Sequence, residues 1–398
     1  MTSQARHALV IGAGLAGAAV CVALARKGWH LTLLDAASGA ALGASALPVG
    51  MLSPHVTRSP TPLSRLSERG VEVTRTELRT LVDQGAGWQD CEVDNLKHDA
   101  GRWPAVLVRP SALVRAWLDE TARLTSLTPV WGARAHSLVR ETDSPANTAA
   151  QNWMAVDAQG NVLAKAPMLV VAAAFGSHDL LVPKWVPAQA WPLRPVKGQM
   201  SLGALSGPPL AERPQRQNGV FVPCYEDNGL PPEWPARIWS MGSTYDRGDS
   251  TTHTTTEAHQ RNADSLRAMH SGAFGAMLDA QASGQLHGWA QVRCASLDRL
   301  PLVGPVPDVA ALEAMIAQTP GRRGRLTLSD IPRLPSLYTL SALGSRGLTL
   351  ALPMAESIAQ TLSDNASELT ADLRGAVDPA RFALRLARRQ PNPASMSA

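Results

Sequence analysis

The stretch Leu9–Asp35, LVIGAGLAGAAVCVALARKGWHLTLLD, decides the fold of this chain. An apolar run enters the glycine turn Gly12–Gly17, a helix of small residues follows to about Lys27, and a second apolar run ends in Asp35. This order of strand, glycine turn, helix, strand and acid is typical of the βαβ unit that binds a dinucleotide. The alternative is a glycine-rich turn that serves packing alone, and the complete βαβ context favours nucleotide binding.

Each residue of the turn has a physical role in this interpretation. Gly12 permits the tight turn, Gly14 lets the backbone approach a pyrophosphate, and Gly17 lets the helix press on the sheet. The helix begins near Leu15 and Ala16, where free N–H groups and a partial positive charge attract phosphates. The acid that ends the second strand, Asp35, can accept hydrogen bonds from a ribose diol.

The composition fits a globular enzyme that is long enough for two domains. The chain has 398 residues, of which 45% are hydrophobic and 18% are charged, which excludes a disordered chain. Its net charge of +4 is mildly basic and by itself says little about a nucleic-acid partner. The four cysteines form no CxxC pair and no cluster with histidines, so we expect free thiols, no metal site and a cytoplasmic location. The uncharged run Leu9–Ala25 is short for a membrane span, and we expect neither an export signal nor a membrane partner.

Other segments predict an α/β protein with two interleaved domains. Pro167–Ala174 is typical of a strand buried on both faces of a parallel sheet, whereas Leu193–Leu202 and Arg237–Thr244 have the pattern of antiparallel strands. A long helix is predicted after a threonine cluster, with Thr254 and Glu257 as its capping box. We expect a discontinuous Rossmann-like domain at residues 1–77, 105–185 and 288–365, an inserted, mainly antiparallel substrate domain at 78–104 and 186–287, and a C-terminal helix with a disordered tail at 366–398.

Several segments of the chain resemble the FAD-dependent amine oxidoreductases of the D-amino-acid oxidase and glycine oxidase type. They are GAGLAG with Asp35, GAS at Gly43–Ser45, PVKGQM at Pro195–Met200, RCASLDRLPLVG at Arg293–Gly304 and LGSRG at Leu343–Gly347. This resemblance covers most of the length and implies a bound FAD that oxidises a carbon next to an amine nitrogen.

Three segments give a narrower resemblance, to the C-terminal oxidoreductase domain of the bifunctional tRNA 5-methylaminomethyl-2-thiouridine biosynthesis proteins. They are Gly242–Asp249, Arg293–Asp308 and Ser341–Glu356. The resemblance implies that the substrate is tRNA, and that a carboxymethylaminomethyl group on the wobble uridine loses its carboxymethyl part as glyoxylate. Because the glycine motif begins at Gly12, we expect a stand-alone oxidative unit, with any later methylation done by a separate methyltransferase.

The same resemblance places flavin contacts outside the first βαβ unit. They fall in the loop after the second strand, in a later backbone turn, and at the start of the last helix: Ala44, Ser45, Gly50, Met51, Gly176, Gly344, Ser345, Arg346, Gly347 and Leu348. The alternative for the last group is an ordinary helix start with a solvated arginine. One departure from the family is the apolar run Ala46–Val49, which stands where polar side chains are usual near the flavin.

The resemblance also points to three catalytic residues. Arg293 matches the arginine that holds the substrate carboxylate, for which a planar guanidinium is suited; the alternative is a salt bridge to Asp298. Gln199 is predicted in the pocket wall and Lys197 near the flavin or the polyanion; the alternative is ordinary strand alternation with one face in and one out.

The candidate contacts to tRNA are arginines near the end of the chain. They are Arg322, Arg323 and Arg325 in a loop, and Arg381, Arg385, Arg388 and Arg389 in the last helix. The alternative is a basic, solvated face.

Two other functions stay open at this stage. The first is a small-molecule amine or amino-acid oxidase or dehydrogenase of the same fold, and the second is a non-enzymatic flavoprotein. For the tRNA substrate and for the small amine alike, hydride passes from the substrate to the flavin and water hydrolyses the imine, with no side-chain base required if the amine binds neutral.

Overall fold

The computed structural model of the protein describes residues 6–97, 100–141, 151–363 and 365–389, apart from the side chains at positions 320 and 322. The strands, in chain order, are β1 His7–Ile11, β2 His30–Leu34, β3 Gly50–Leu52, β4 Trp88–Asn95, β5 Gly101–Val108, β6 Leu127–Val130, β7 Ser137–Arg140, β8 Trp153–Val156, β9 Val162–Ala166, β10 Met168–Val171, β11 Leu193–Ala204, β12 Gln215–Gln217, β13 Gly219–Glu226, β14 Arg237–Gly242, β15 Asp246–Arg247, β16 His287–Ser296, β17 Leu302–Pro307 and β18 Arg333–Ser341. The helices are α1 Leu15–Ala25, α2 Pro62–Leu81, α3 Pro110–Leu124, α4 Gly176–Leu181, α5 Thr256–Met269, α6 Ser271–Ala282, α7 Val309–Gln318, α8 Gly347–Leu362, α9 Ala371–Val377 and α10 Arg381–Arg389. The predicted disordered tail after Arg389 lies outside the described residues.

A central sheet carries the glycine turn at its switch point. Its strand order is β17-β18-β10-β1-β2-β6, and all neighbours are parallel except β17 and β18. Strand β1 lies between β10 and β2, so the strands that follow β1 in the chain are added to the sheet on both of its sides. Crevices at such switch points, beyond the carboxyl ends of the strands, are where α/β sheets bind ligands.

Both faces of the central sheet are buried, which explains its continuous apolar strands. In β1, Ala8 and Val10 pack into the core formed with α1, α3 and α8, whereas Leu9 and Ile11 face a second core. That second core includes Trp153 of the small antiparallel sheet β7-β8-β9. Because successive side chains of a strand point to opposite faces, a strand covered on both sides needs no polar alternation.

A large, mostly antiparallel sheet stands beside the central one. Its order is β15-β11-β14-β13-β12-β4-β5-β3, and β16 also pairs with β11, in register from Leu193 opposite Ser296 to Leu202 opposite His287. Strand β3, nearly all of β16 and the second half of β5 belong to this sheet, although the predicted boundaries give their segments to the nucleotide-binding domain. Strand pairing between distant segments leaves no local pattern in the sequence from which the sheet of each strand could be predicted.

Two details of the predicted long helix were wrong. The helix is broken at His270, which ends α5 and whose Nδ1 accepts a hydrogen bond from the N–H of Ala273 at the start of α6. The N-cap of α5 is Thr255, whose hydroxyl accepts from the N–H of Ala258, so the predicted capping box with Thr254 does not form. The helix starts one residue later than predicted.

One buried ion pair ties α3 to the large sheet. Arg109, the N-cap residue of α3, donates from Nε to Oδ2 of Asp227 at 2.6 Å, and both residues are buried. The same carboxylate accepts from the hydroxyl of Tyr225 at 2.8 Å and from the N–H of Gly229 at 2.8 Å. Burial and the neighbouring Asp227 raise the pKa of Tyr225, so the phenol remains a donor.

Candidate active site

A large cavity lies between the switch point of the central sheet and the large sheet. Its volume is about 850 Å³, toward the upper end of the roughly 300–1,000 Å³ range of small-molecule sites. The sequence-predicted residues that line it are Gly12, Gly14, Leu15, Ala16, Asp35, Ala44, Ser45, Gly50, Met51, Gly176, Arg293, Gly344, Ser345, Gly347 and Leu348. Four predicted residues do not line it: Gly17, Lys197, Gln199 and Arg346.

The glycine turn is packed too tightly for any side chain. Gly12 has φ +106°, and a Cβ there would lie 2.5 Å from the carbonyl oxygen of Ala172. A Cβ on Gly17 would lie 1.7 Å from the carbonyl oxygen of Gly12. Gly17 therefore acts through helix-to-sheet packing, which brings the first turn of α1 to the cavity wall.

Asp35 and Ser45 are held in place around this turn. The carboxylate of Asp35 accepts from the N–H of Ala13 at 2.6 Å and from that of Ala37 at 2.8 Å. The hydroxyl of Ser45 accepts from the N–H of Leu15 at 3.0 Å, in the first turn of α1. Both side chains are thus oriented by backbone groups of the cavity wall, where an anion or a diol would bind.

A second helix begins at the same cavity. Gly344 has φ +58° and Gly347 starts α8, where a Cβ would lie 2.9 Å from Cδ1 of Leu15. The N-termini of α1 and α8 therefore lie side by side, and the unpaired N–H groups of both present partial positive charge. Two helix starts, a fixed acid and a side-chain-free turn fit the pyrophosphate, ribose and flavin edge of an FAD.

Arg293 brings a positive charge into the cavity without an ion pair among the described residues, although Asp246 acts on it electrostatically from a longer distance. Its guanidinium donates to Ser243 Oγ at 2.9 Å and to the carbonyl of Thr244 at 2.7 Å, while Nε–H finds no acceptor among the described residues. Burial lowers the pKa of Arg293. No carboxylate of the described residues lies within ion-pair distance of it, because Asp298 is paired with Arg381 at 2.8 Å instead. The alternative of an Arg293–Asp298 salt bridge is therefore wrong.

Lys197 and Gln199 lie on the other side of β11 and not in the cavity. The amide of Gln199 exchanges two hydrogen bonds with the backbone of Thr255, at 2.8 and 2.7 Å. The ammonium of Lys197 donates to Thr251 Oγ1 at 2.9 Å. Their predicted catalytic positions are wrong and the strand-alternation alternative is right, because the cavity receives the even-numbered neighbours Gly198 and Met200.

Sequence reasoning missed the residues that complete the cavity wall. Ser243 and Tyr245 belong to the segment Gly242–Asp249, whose resemblance implies no role for a single residue, and Trp289 lies opposite Met200 in the β11–β16 pairing. The alternation of side chains along a strand could have indicated them. Val196 of β11 pairs with Arg293 of β16, so the two lie on the same face of the sheet, and Gly198, two positions after Val196, lies on that face too.

The arginines predicted to contact tRNA are only partly available. Arg381 is buried, and it pairs with Asp298, which also accepts from the N–H of Leu300 and so stabilises that turn. Arg388 donates to the carbonyl of Leu326. Arg325 and Arg389 are exposed, Arg385 is exposed but lies 3.3 Å from Asp298, Arg323 is partly buried, and the side chain of Arg322 lies outside the described part. Arg381 is therefore excluded as a tRNA contact.

Two absences hold for the described residues 6–97, 100–141, 151–363 and 365–389. In these ranges, histidine, cysteine, aspartate and glutamate do not form any group of three that could hold a metal ion. None of the helices in the same ranges is both long and apolar enough to cross a membrane.

The sequence is similar to known proteins over nearly its whole length. The profile of a family described as DAO, FAD dependent oxidoreductase, matches residues 7–140 and 103–361. The tRNA 5-methylaminomethyl-2-thiouridine biosynthesis bifunctional protein MnmC of Verminephrobacter eiseniae is 33% identical over 94% of this chain, and that of Delftia acidovorans is 32% identical over 96%. The chain covers 63% and 61% of these two proteins, so it spans about three fifths of their length.

Solved structures share the fold at much lower identity. Glycine oxidase from Geobacillus kaustophilus aligns with a TM-score of 0.65 at 14% identity, covering 94% of this chain and 98% of that one. Iminodiacetate oxidase from Chelativorans sp. BNC1 aligns with a TM-score of 0.63 at 16% identity, covering 91% and 97%. These likenesses confirm the predicted α/β fold class.

Proposed function

The chain belongs to the DAO family of FAD-dependent oxidoreductases, and from this premise we propose that it oxidises the carboxymethylaminomethyl group of a wobble uridine in tRNA. The predicted cofactor, FAD, is that of the family. The observation that carries the proposal is Arg293, a largely buried cation that faces the cavity without a carboxylate partner among the described residues. A buried charge needs a counter-charge, and a substrate carboxylate supplies it.

The residues of the cavity divide the work in this proposal. Bound FAD supplies a hydride acceptor for the carbon between the carboxylate and the amine nitrogen, and hydrolysis of the substrate imine releases glyoxylate. Arg293 holds the carboxylate and so fixes the position of that carbon. The helix starts at Leu15 and Gly347 stabilise negative charge on the cofactor, and Asp35 holds its ribose.

The similarity to curated relatives supports tRNA over a small amine. The relatives named for tRNA modification are 32–33% identical to this chain, whereas the two oxidases of small amines are 14–16% identical and share the fold alone. The small-amine alternative is kept open by one feature: Arg293 recognises a glycine unit, which both kinds of substrate contain. In either case the same carbon–nitrogen bond is broken.

The visible spectrum of the purified protein decides between the two. Under anaerobic conditions, bleaching of the flavin by tRNA that carries carboxymethylaminomethyl-uridine, and not by glycine, sarcosine or iminodiacetate, is the expected result. Bleaching by the free amines alone would establish the small-amine oxidase. A flavin that none of these reduces would contradict both.

Gly12→Ala should impair FAD retention. The Cβ would collide with the backbone of Ala172 at a φ that alanine disfavours, and such overpacking costs about 1–3 kcal/mol. We expect a lower ratio of flavin to protein after purification and a lower melting temperature. Gly28→Ala is the matched control, because its φ is +76° and nothing lies within 4 Å of its Cβ position. Equal flavin content in both variants would contradict close packing of the turn around the cofactor.

Gly198→Ala should weaken substrate binding without removing the flavin. A Cβ there would lie 2.1 Å from Nη2 of Arg293, so the guanidinium must move. Misplacement of a positioning group by about 1 Å costs roughly 100-fold in rate, and we expect kcat/KM to fall by roughly 10- to 100-fold. Gly207→Ala, which meets nothing within 4 Å, is the control for anaerobic reduction kinetics. Wild-type kinetics in Gly198→Ala would show that Arg293 need not lie against β11.

A further inference from the structure

An exposed aromatic ring stands on the cavity wall beside Arg293. Tyr245 is 46% exposed and lines the cavity, whereas other large aromatic side chains, such as Trp117 and Tyr225, are fully buried. An exposed ring costs hydrophobic stabilisation that burial would provide. Its position next to the substrate-binding arginine suggests that a ligand covers it.

Cations flank this ring. Cζ of Arg293 lies 5.1 Å from the ring centroid of Tyr245, and Cζ of Arg247 lies 5.7 Å from it. Arg293 is fixed by hydrogen bonds to Ser243 and Thr244, so it restrains the ring next to it. Arg247 is exposed and forms no ion pair within the described residues, so it can move aside for a ligand.

More positive charge lies near the ring, and Asp246, which follows Tyr245 in the chain, is paired with Arg261 at 2.7 Å. Arg346 stands between Ser345 and Gly347, which both line the cavity, and its electrostatic neighbours include Tyr245 and the exposed Arg299. No carboxylate of the described part lies within ion-pair distance of Arg346 or Arg299. Burial is the main cause that lowers the pKa of Arg346, and Arg299 contributes in the same direction, whereas a bound anion would act in the opposite direction.

These groups exceed what a small amine needs. Glycine and sarcosine have one carboxylate, which Arg293 would bind, and this leaves an aromatic surface and two further arginines without a partner. A nucleotide supplies both missing groups, because every base has a flat π-face and each nucleotide is flanked by phosphates.

We propose that the ring of Tyr245 stacks on the pyrimidine that bears the reacting amine, and that Arg346 and Arg299 bind the phosphates flanking that nucleotide. The ligand class is single-stranded RNA, and this inference rests on the proposed function and deepens it. Tyr245 becomes a specificity-determining residue, and Arg346 serves the substrate instead of the flavin. Stacking supplies affinity that does not depend on salt, whereas the phosphate contacts supply affinity that does.

The experiment is an anaerobic titration with a short single-stranded RNA that contains carboxymethylaminomethyl-uridine, followed through the flavin absorbance. Tyr245→Leu should raise the Kd for this RNA by roughly 5- to 150-fold, the range for loss of one stacked base. Tyr245→Phe keeps the ring and should stay within about threefold of the wild type. The ratio of Kd for the RNA to Kd for sarcosine should rise in Tyr245→Leu and not in Tyr245→Phe.

The phosphate contacts are tested separately by salt dependence. Each phosphate contact to a single strand contributes about 0.7 to the slope of log K against log salt, so Arg346→Gln with Arg299→Gln should lower the slope by roughly 1.4. The Arg346 side chain makes no capping hydrogen bond to α8, so glutamine preserves the helix start. Arg115→Gln, at an exposed position of α3 outside the cavity, is the control and should leave the slope unchanged.

The outcomes separate this inference from the function on which it rests. If the RNA reduces the wild-type flavin but Tyr245→Leu binds it as tightly and the slope of the double arginine variant is unchanged, the inference fails and the proposed function stands. If the wild type is reduced by sarcosine and not by the RNA, both fail. If Tyr245→Leu does not fold, the double arginine variant decides. An unchanged slope of log K against log salt overturns the phosphate contacts, and the predicted decrease of the slope supports the nucleotide subsite.

Discussion

Arg293→Ala should lower kcat/KM for the carboxylate-bearing substrate by roughly 30- to 5,000-fold, the range that follows from losing one partner of a buried, hydrogen-bonded charge pair. The guanidinium is largely buried and its Nε–H has no acceptor among the described residues. Its loss removes the counter-charge of the substrate and the fork that fixes the carbon to be oxidised. The measurement is the rate of anaerobic flavin reduction at varied substrate concentration.

Two controls separate this role from a structural one. Arg293→Lys keeps the charge but loses the planar fork, so it should recover only part of the lost rate. A substrate in which the carboxylate is replaced by an amide should be a poor substrate for the wild type, and the Arg293→Ala change should hardly affect it further. Retained flavin in all variants is part of the expectation. Unchanged reduction of the carboxylated substrate in Arg293→Ala would remove this residue from the site.

Asp227→Ala should destabilise the protein by about 3–5 kcal/mol, the cost of breaking a buried ion pair from one side. The guanidinium of Arg109 would remain buried without its counter-charge, and the hydroxyl of Tyr225 would lose its acceptor. Because the pair joins α3 to the large sheet, we expect flavin to be released at lower denaturant concentration. Urea unfolding followed by intrinsic fluorescence and by flavin fluorescence measures both effects.

The matched control for that variant is a surface ion pair. Asp264 and Arg267 are 3.0 Å apart on α5 with both side chains exposed, so Asp264→Ala should cost less than about 1 kcal/mol. The double variant Asp227→Leu with Arg109→Met removes both charges and should be more stable than Asp227→Ala alone. If the double variant is no more stable than Asp227→Ala, the unpaired charge of Arg109 is not the cause of the lost stability.

Local physics explains which parts of the structure could be predicted. The glycine turn, its helix and the acid at Asp35 lie within 27 residues, and their roles follow from φ angles, helix ends and strand periodicity. The buried strand β10 was predictable for the same reason, because an apolar run without alternation needs cover on both faces. The flavin contacts predicted in distant segments rest on the resemblance to a family and not on such local patterns.

The face of β11 that lines the cavity was decided by tertiary structure. In sequence, Lys197 and Gln199 look more suited to chemistry than Gly198 and Met200, because they carry polar groups. The pairing with β16 brings Gly198 to the face where Arg293 lies and sends the two polar side chains toward the threonine segment around Thr255. The local sequence of a strand does not determine which of its two faces lines a cavity, and only packing against other segments decides this.

The local order of residues thus determined the βαβ unit by itself, since each of its interactions spans a few positions along the chain. The partner of Asp298 was settled by folding alone: it is Arg381, 83 residues away, and not Arg293, five positions away. The exposure of Tyr245 and the charge around it were settled in the same way. Charge pairs and cavity walls join segments that are far apart in sequence, and the free energy that selects them arises only when those segments pack together.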